Sequence, residues 1–253
     1  MIWQKLYMGS IYGFLYLPLI ILILFSFNDS AFTNEWSGAS LKWYKAFFAN
    51  TELIRVSLHS LLLAILSASL ATIMGSFISL FMHFFALPMK GLVRTLIFIL
   101  LLSPDLVMGI ALLILFVGLS LEPGFLSLLV AHITFCIPFV VVTTLARLEG
   151  FDRSILEAAY DLGASDAQAI RLVLLPILAP ALLSSWLLSF TLSMDDVVIS
   201  FFVSGPSYEV LPLKIYSMVR LGIKPEVNAL CTIIFCLSLA LVVLSRRLVK
   251  EDD

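Results

Sequence analysis

Ser154-Ile-Leu-Glu157-Ala158-Ala159-Tyr-Asp-Leu-Gly163-Ala-Ser165-Asp-Ala-Gln168-Ala-Ile-Arg171-Leu-Val173-Leu-Leu175-Pro176 is the longest polar insert in the C-terminal half of the chain. Ser154 stands three residues before Glu157, and Ser165 three before Gln168. That is the spacing of a capping box, in which hydroxyl and N3 side chain satisfy orphan N–H groups reciprocally, so each pair predicts a helix start. Gly163 falls where the first helix must stop on a left-handed residue. Pro176 is expected to end the second helix, because its ring clashes with the preceding turn. The result is a helix–turn–helix hairpin. Ala158 and Ala159 leave one side of it bare, open to close approach by another surface.

The rest of the chain is of a different character. Of its 253 residues 61% are hydrophobic and only 13% charged, which excludes an ordinary soluble domain and predicts an all-α polytopic membrane protein. A net charge of −2 gives no reason to expect a nucleic-acid partner. Cys136, Cys231 and Cys236 lie in apolar runs without metal-site or disulfide spacing, and read as packing residues rather than ligands.

Six transmembrane helices are expected. Ile11–Phe27 is a retained first span, without a clear cleavage site after it. The polar loop from Asn28 to Arg55 carries Trp43 with Phe47 and Tyr44 with Phe48 at i, i+4 spacing, the pattern of an interfacial helix. Leu58–Phe81 is the second span, dotted with small residues (Ser67, Ser69, Ala71, Gly75, Ser76) that allow close helix packing. Thr95–Leu119 is the third, broken in mid-membrane at Ser103-Pro104-Asp105. Phe125–Leu145 is the fourth, with Pro138 inside, Ala181–Val203 the fifth and Leu230–Leu244 the sixth. With both termini cytoplasmic, Lys5, Lys90, Arg94, Arg147, Arg153, Arg171, Arg246, Arg247 and Lys250 lie inside, against Lys42, Lys45, Arg55, Lys214, Arg220 and Lys224 outside. The bias has the correct sign and is weak.

Three acids lie in these spans. An ionised Asp at the centre of a membrane helix costs about 2.5–3.5 kcal/mol on insertion scales, so it persists where it meets water, a partner or a substrate. Asp105 belongs to the broken third span; Asp195 and Asp196 belong to the fifth. Neighbours on a helix project roughly 100° apart, so the latter two cannot point at one spot. Ser189, Ser193, Asp196 and Ser200 form a polar stripe, whereas Asp195 is flanked at the same spacings mainly by Leu188, Leu192, Val198 and Ile199. Asp196 is therefore expected to wall a pathway, and Asp195 to meet a partner or the broken third span. Carboxylates with nearby rings suit a cationic ligand such as an amine. Tyr208, in the loop Gly205-Pro206-Ser207-Tyr208-Glu209, and Tyr216 supply rings near the external end.

Glu157-Ala158-Ala159 followed by Gly163, Val173 and Leu175-Pro176 resembles the EAA loop of type 1 ABC importer permeases, with Val173 where that pattern prefers Ile. The resemblance implies a MetI-like ABC type-1 transmembrane domain at 57–246, with the EAA loop at 154–176, preceded by a first helix and external loop at 1–56 and followed by a cytoplasmic tail at 247–253. It implies that Glu157, Ala158, Ala159, Gly163 and Asp166 couple the chain to an ATPase. The runs Leu102-Ser103-Pro104-Asp105, His132-Ile-Thr-Phe-Cys136-Ile-Pro138-Phe, Ser189 to Val198 and Gly205 to Met218 resemble the spermidine/putrescine permeases of that family. This implies an inner-membrane subunit that pairs with a second permease chain, two copies of an ATPase and an external polyamine-binding protein. ATP would bind the ATPase and no cofactor this chain. Trp43 and Ser193 fall on positions that resemble the family's polyamine pathway.

Other readings predict other features. A secondary transporter has no need of a capped hairpin shaped for an ATPase. An intramembrane aspartyl protease needs its acids in Tyr-Asp and Gly-x-Gly-Asp contexts, and a serine type needs a Gly-x-Ser-x-Gly-like element; neither is found. His59, His83 and His132 are isolated and read as packing or interfacial residues. No Gly is followed by Lys-Ser or Lys-Thr, so no P-loop is predicted. Within the resemblance, a permease for an amino acid, ferric ion or thiamine is the alternative.

Overall fold

A computed structural model describes residues 2–30, 35–85, 88–221 and 225–248. They form α1 (Ile2–Ser26), α2 (Lys42–Ala49), α3 (Thr51–Phe84), α4 (Lys90–Leu102), α5 (Asp105–Gly118), α6 (Phe125–Glu149), α7 (Ser154–Asp161), α8 (Asp166–Ala169), a π-turn (Ile170–Leu174), α9 (Leu175–Asp195), α10 (Val198–Val203), α11 (Leu211–Leu221) and α12 (Pro225–Leu248). The all-helical class is as expected; a single antiparallel bridge, Asn28 to Ala39, is the β pairing among the described residues.

Among the described residues four helices are long and apolar enough to cross a membrane: Trp3–Ser26, Thr51–Phe84, Phe125–Glu149 and Asp166–Asp195. The expected third span is a pair, Lys90–Leu102 and Asp105–Gly118, bent by 114° at Ser103-Pro104. Proline lacks the N–H that would continue the ladder, and it drives the preceding residue to extended backbone: Ser103 has ψ 133°. The expected sixth span falls within α12 (Pro225–Leu248), whose described apolar part is Pro225–Ala240. Lys224, Lys250 and the end of the expected tail, 249–253, lie outside the described residues.

The chain falls into two compact units. In the first, Met1–Ser57 with Leu213–Arg246, α1 leaves Phe14 80% exposed and Trp3 85% exposed, as a lipid-facing or partner-facing helix does. Its loop closes around Asn28. The Asn28 amide donates to the Glu35 carbonyl at 2.6 Å and accepts the Ser37 N–H at 3.0 Å, while the Trp43 indole donates to the Asn28 carbonyl at 2.7 Å. The expected interfacial helix is α2. It buries Phe47 and exposes Phe48.

The second unit is built on Leu58–Pro212. Ser67, Ala68, Ala71 and Ser79 on α3 are fully buried. Small residues let helix backbones approach where no hydrophobic force drives them together. At Gly75 a Cβ would lie 2.7 Å from Val140 of α6. α6 in turn packs on α9, and α5 on α10.

Two features depart from the expected hairpin. Ser154 is the first helical residue rather than the cap, and its N–H is taken by Asp152 Oδ1 at 2.9 Å, so the first capping box does not form. The second does, with the Ser165 N–H donating to Gln168 Oε1 at 2.8 Å. Pro176 does not end the second helix. The π-turn shifts the register so that the Leu175 N–H reaches the Ile170 carbonyl, and Pro176 then occupies the first turn of α9, where its missing N–H is tolerated. The hairpin therefore runs straight into the fifth span. Gly75→Val should lower the melting temperature of the purified protein, because the added methyl groups overlap Val140 and overpacking costs about 1–3 kcal/mol; an unchanged melting temperature would contradict the close α3–α6 approach.

Candidate functional site

The fifth span breaks where the two acids lie. α9 ends at Asp195, Asp196 is extended (φ −66°, ψ 120°), and α10 begins at Val198. A new helix start leaves N–H groups without partners, and a carboxylate is a good acceptor for them. Asp196 Oδ1 accepts the Ile199 N–H at 3.1 Å and Oδ2 the Ser200 N–H at 2.7 Å. The break corrects the expected stripe. Helical spacing does not carry across residues 195–197, and Ser189, Ser193 and Ser200 are buried within the unit rather than facing an open path. Asp196 itself keeps only 8% of its side chain exposed.

Asp195, at the end of α9, is exposed. It lines a cavity of about 410 Å³ together with Asp105, Asp196, Met108, Phe135 and Phe139. Asp105 opens the first turn of α5, where a negative charge complements the helix dipole. What brings α5 to α10 is Gly109, whose Cβ would lie 2.8 Å from the Phe202 ring. Two helix breaks thus deliver acids to one cavity whose other walls, apart from Ser103, are apolar and aromatic. Such a cavity suits an organic cation.

Behind the cavity lies a residue that sequence reasoning set aside as packing. His132 of α6 is 1% exposed. Its Nδ1 is 2.7 Å from Ser193 Oγ; its Nε2 is 3.1 Å from Ser200 Oγ and 3.5 Å from Asp196 Oδ2. Ser67 Oγ donates to Ser193 Oγ at 3.1 Å, extending the network to α3. An imidazole inside an apolar run was the available signal, since ionisable groups in a span are functional by default.

Ser193, Trp43 and Tyr208 are not brought into this cavity lining. Ser193 is held in the His132 network, and Trp43 belongs to the first unit, where it fastens Asn28. Tyr208 stacks on His59 at 4.1 Å and 11° and donates to the His59 carbonyl at 3.1 Å; burial raises its phenol above the ordinary value. Among the described residues no three His, Cys, Asp or Glu side chains are grouped to hold a metal ion.

On the hairpin, Glu157, Ala158, Gly163 and Asp166 are exposed and Ala159 is half-buried. Gly163 has φ +84°, and the turn closes by Gly163 N–H to the Tyr160 carbonyl and Ala164 N–H to the Ala159 carbonyl, at 2.8 and 3.0 Å. This is the Schellman arrangement, which a left-handed residue makes possible. The buried side is anchored: Leu156 packs against Leu148, Leu174 and Leu178, and Arg153 donates to the His83 carbonyl at 3.2 Å. Apolar side chains also face out, Leu162 at 89% and Leu172 at 68% exposure. Exposed apolar side chains rimmed by polar ones are a feature of interaction surfaces.

Apolar helices around a carboxylate-bearing cavity, with a rigid hairpin at one end, define a membrane permease subunit. Residues 71–250 match the family of binding-protein-dependent transport system inner membrane components, and the chain belongs to that family. It is 51% identical over 245 residues to the spermidine/putrescine transport system permease protein PotC of Escherichia coli K12, covering 97% of this chain and 93% of that one. It is 48% identical over 250 residues to PotC of Haemophilus influenzae (99% and 97%), and 39% identical over 230 residues to the putrescine transport system permease protein PotI of Escherichia coli K12 (88% and 82%). The fold is shared with a chain of a bacterial alginate ABC transporter, at a TM-score of 0.73 and 16% identity over 98% of this chain and 96% of that one.

The Asp152 cap gives the hairpin a pH dependence. Accepting the Ser154 N–H holds its carboxyl below the ordinary carboxylate value. Its contribution is therefore present above that ordinary value and lost as pH falls through the depressed one. At neutral pH Asp152→Ala should speed amide exchange in α7, and at acid pH wild type and variant should converge. Equal exchange at neutral pH would contradict the cap.

Proposed function

We propose that this chain is one permease subunit of an ATP-driven polyamine importer. It pairs with a second permease chain in the inner membrane, with both termini cytoplasmic. The carrying observation is the cavity in which Asp105 and Asp195 stand together among Met108, Phe135 and Phe139. An alkylamine presents ammonium groups separated by methylene chains, and this lining offers carboxylates separated by apolar and aromatic surface. Pairing with the carboxylates and with ring faces is weak enough per contact to let the amine leave. Spermidine and putrescine, the substrates named for PotC and PotI, have this chemistry. An amino acid would bring a carboxylate of its own against the acids. Asp195 and Asp105 contact the substrate in this reading, and Asp196 shapes the wall.

The hairpin serves as the docking element for an ATPase, two copies of which bind and hydrolyse ATP for the assembly; the permease carries no cofactor. Glu157, Ala158 and Asp166 present the exposed face, Ala159 keeps it narrow, and Gly163 makes the turn. Because α8 passes through the π-turn into α9, a push on the hairpin moves the helix that ends at Asp195. An external polyamine-binding protein delivers the substrate.

The test is labelled spermidine uptake by proteoliposomes holding the full complex, with its binding protein and ATP. A hydrogen bond to a charged group is worth about 1.5–3 kcal/mol, so Asp195→Asn should lower uptake roughly ten- to hundredfold without changing binding by the external protein. Asparagine is itself a good helix cap, so Asp196→Asn should stay within about threefold of wild type. Wild-type uptake by Asp195→Asn, or competition by an unlabelled amino acid or thiamine, would contradict the polyamine assignment.

A further inference from the structure

The break in the fifth span needs something to hold its two ends in register, and two hydrogen bonds from Asp196 to α10 do not tie α10 back to α9. We propose that His132 is the positioning residue of the cavity: its ring bridges Ser193 near the end of α9 to Asp196 and Ser200 at the start of α10, and so sets the direction in which Asp195 faces. The inference deepens the transport reading without needing any particular substrate.

The chemistry assigns the tautomer. A carboxylate only accepts, and Asp196 Oδ2 lies 3.5 Å from Nε2, so Nε2 carries the proton. Nδ1 then accepts the Ser193 hydroxyl at 2.7 Å, and the Ser193 oxygen accepts the Ser67 hydroxyl at 3.1 Å. All donations run one way, from α3 through α9 and α6 to α10. Ser67, Ser193, His132 and Ser200 are buried, and in a low-dielectric interior a satisfied polar network specifies one arrangement because any other leaves groups unpaired. Phe135, one turn along α6 from His132, lines the cavity and lies 5.4 Å ring to ring from it, so the same helix that carries the bridge also forms the wall. Ser193, His132 and Asp196 have the order of a hydrolytic relay. Ser193, however, is 4% exposed and lies off the cavity lining, where no scissile bond reaches it.

The experiment reads where residue 195 faces, with no substrate or ATP present, so it can fail while the polyamine reading stands. In the full complex, with Cys136, Cys231 and Cys236 replaced, Asp195→Cys is labelled with a cationic methanethiosulfonate. Adding His132→Phe, which keeps a ring but no nitrogen, should slow labelling about tenfold, the scale of one hydrogen bond. Adding His132→Gln instead, whose amide can still donate towards Asp196, should leave the rate within about threefold. Unchanged labelling with His132→Phe overturns the proposal. So does equal slowing by Gln and Phe, which would make ring volume the cause. Should His132→Phe fail to assemble, Ser193→Ala carries the test: slower labelling supports the bridge, and an unchanged rate overturns it.

Discussion

Every backbone N–H group at membrane depth must find an acceptor inside the protein, because lipid offers none. That constraint governs the centre of this chain. A helix can stop in the middle of a span only where side chains take over the hydrogen bonds of its missing turn. At Asp196 a carboxylate does so for Ile199 and Ser200. At Ser103-Pro104 the proline has no N–H to satisfy, and the chain turns through 114°. Both interruptions sit beside the same cavity. Irregular backbone in a membrane protein is tolerated where it lines a cavity, and the two breaks and the two exposed acids are consequences of one another.

The hairpin is held by a different set of contacts. Here α7 is capped by Asp152, the turn is fixed by a left-handed Gly163, α8 starts with the Ser165–Gln168 box, and Leu156 is packed among Leu148, Leu174 and Leu178. The π-turn at Ile170–Leu174 then joins the hairpin to α9 without an interruption. Beyond the Gly163 turn, a continuous helical route runs from Asp166 to Asp195. On that route the π-turn is where the register differs, and π-turns are commonly kept at functional positions.

The legible parts of the sequence were those where local chemistry decides. Pro104 declared a break, Gly163 a turn, Ser165 with Gln168 a helix start, and Trp43 to Phe48 a short helix. What could not be read depends on distant partners. Nothing in Met194-Asp195-Asp196-Val197 is a helix breaker, so a periodicity read from the sequence runs across a point where the helix stops. His132 meets Ser193 and Ser200, 61 and 68 residues along the chain, and only the packing of α6 on α9 and α10 brings them together. Pro176 looked like a terminator because a π-turn, which has no sequence signature, makes room for it. The resemblance singles out Trp43 and Ser193, whose hydrogen bonds go to the Asn28 carbonyl and the His132 ring rather than into the cavity lining.

The claim on which the rest depends is that Asp105 and Asp195 share one water-accessible cavity. It is tested most directly by Asp105→Cys with Asp195→Cys in an otherwise cysteine-free assembled complex, treated with a short bifunctional thiol reagent. A cross-link that forms readily and is slowed by spermidine is the expected result. An assembled complex in which both thiols react singly and never with each other would contradict it.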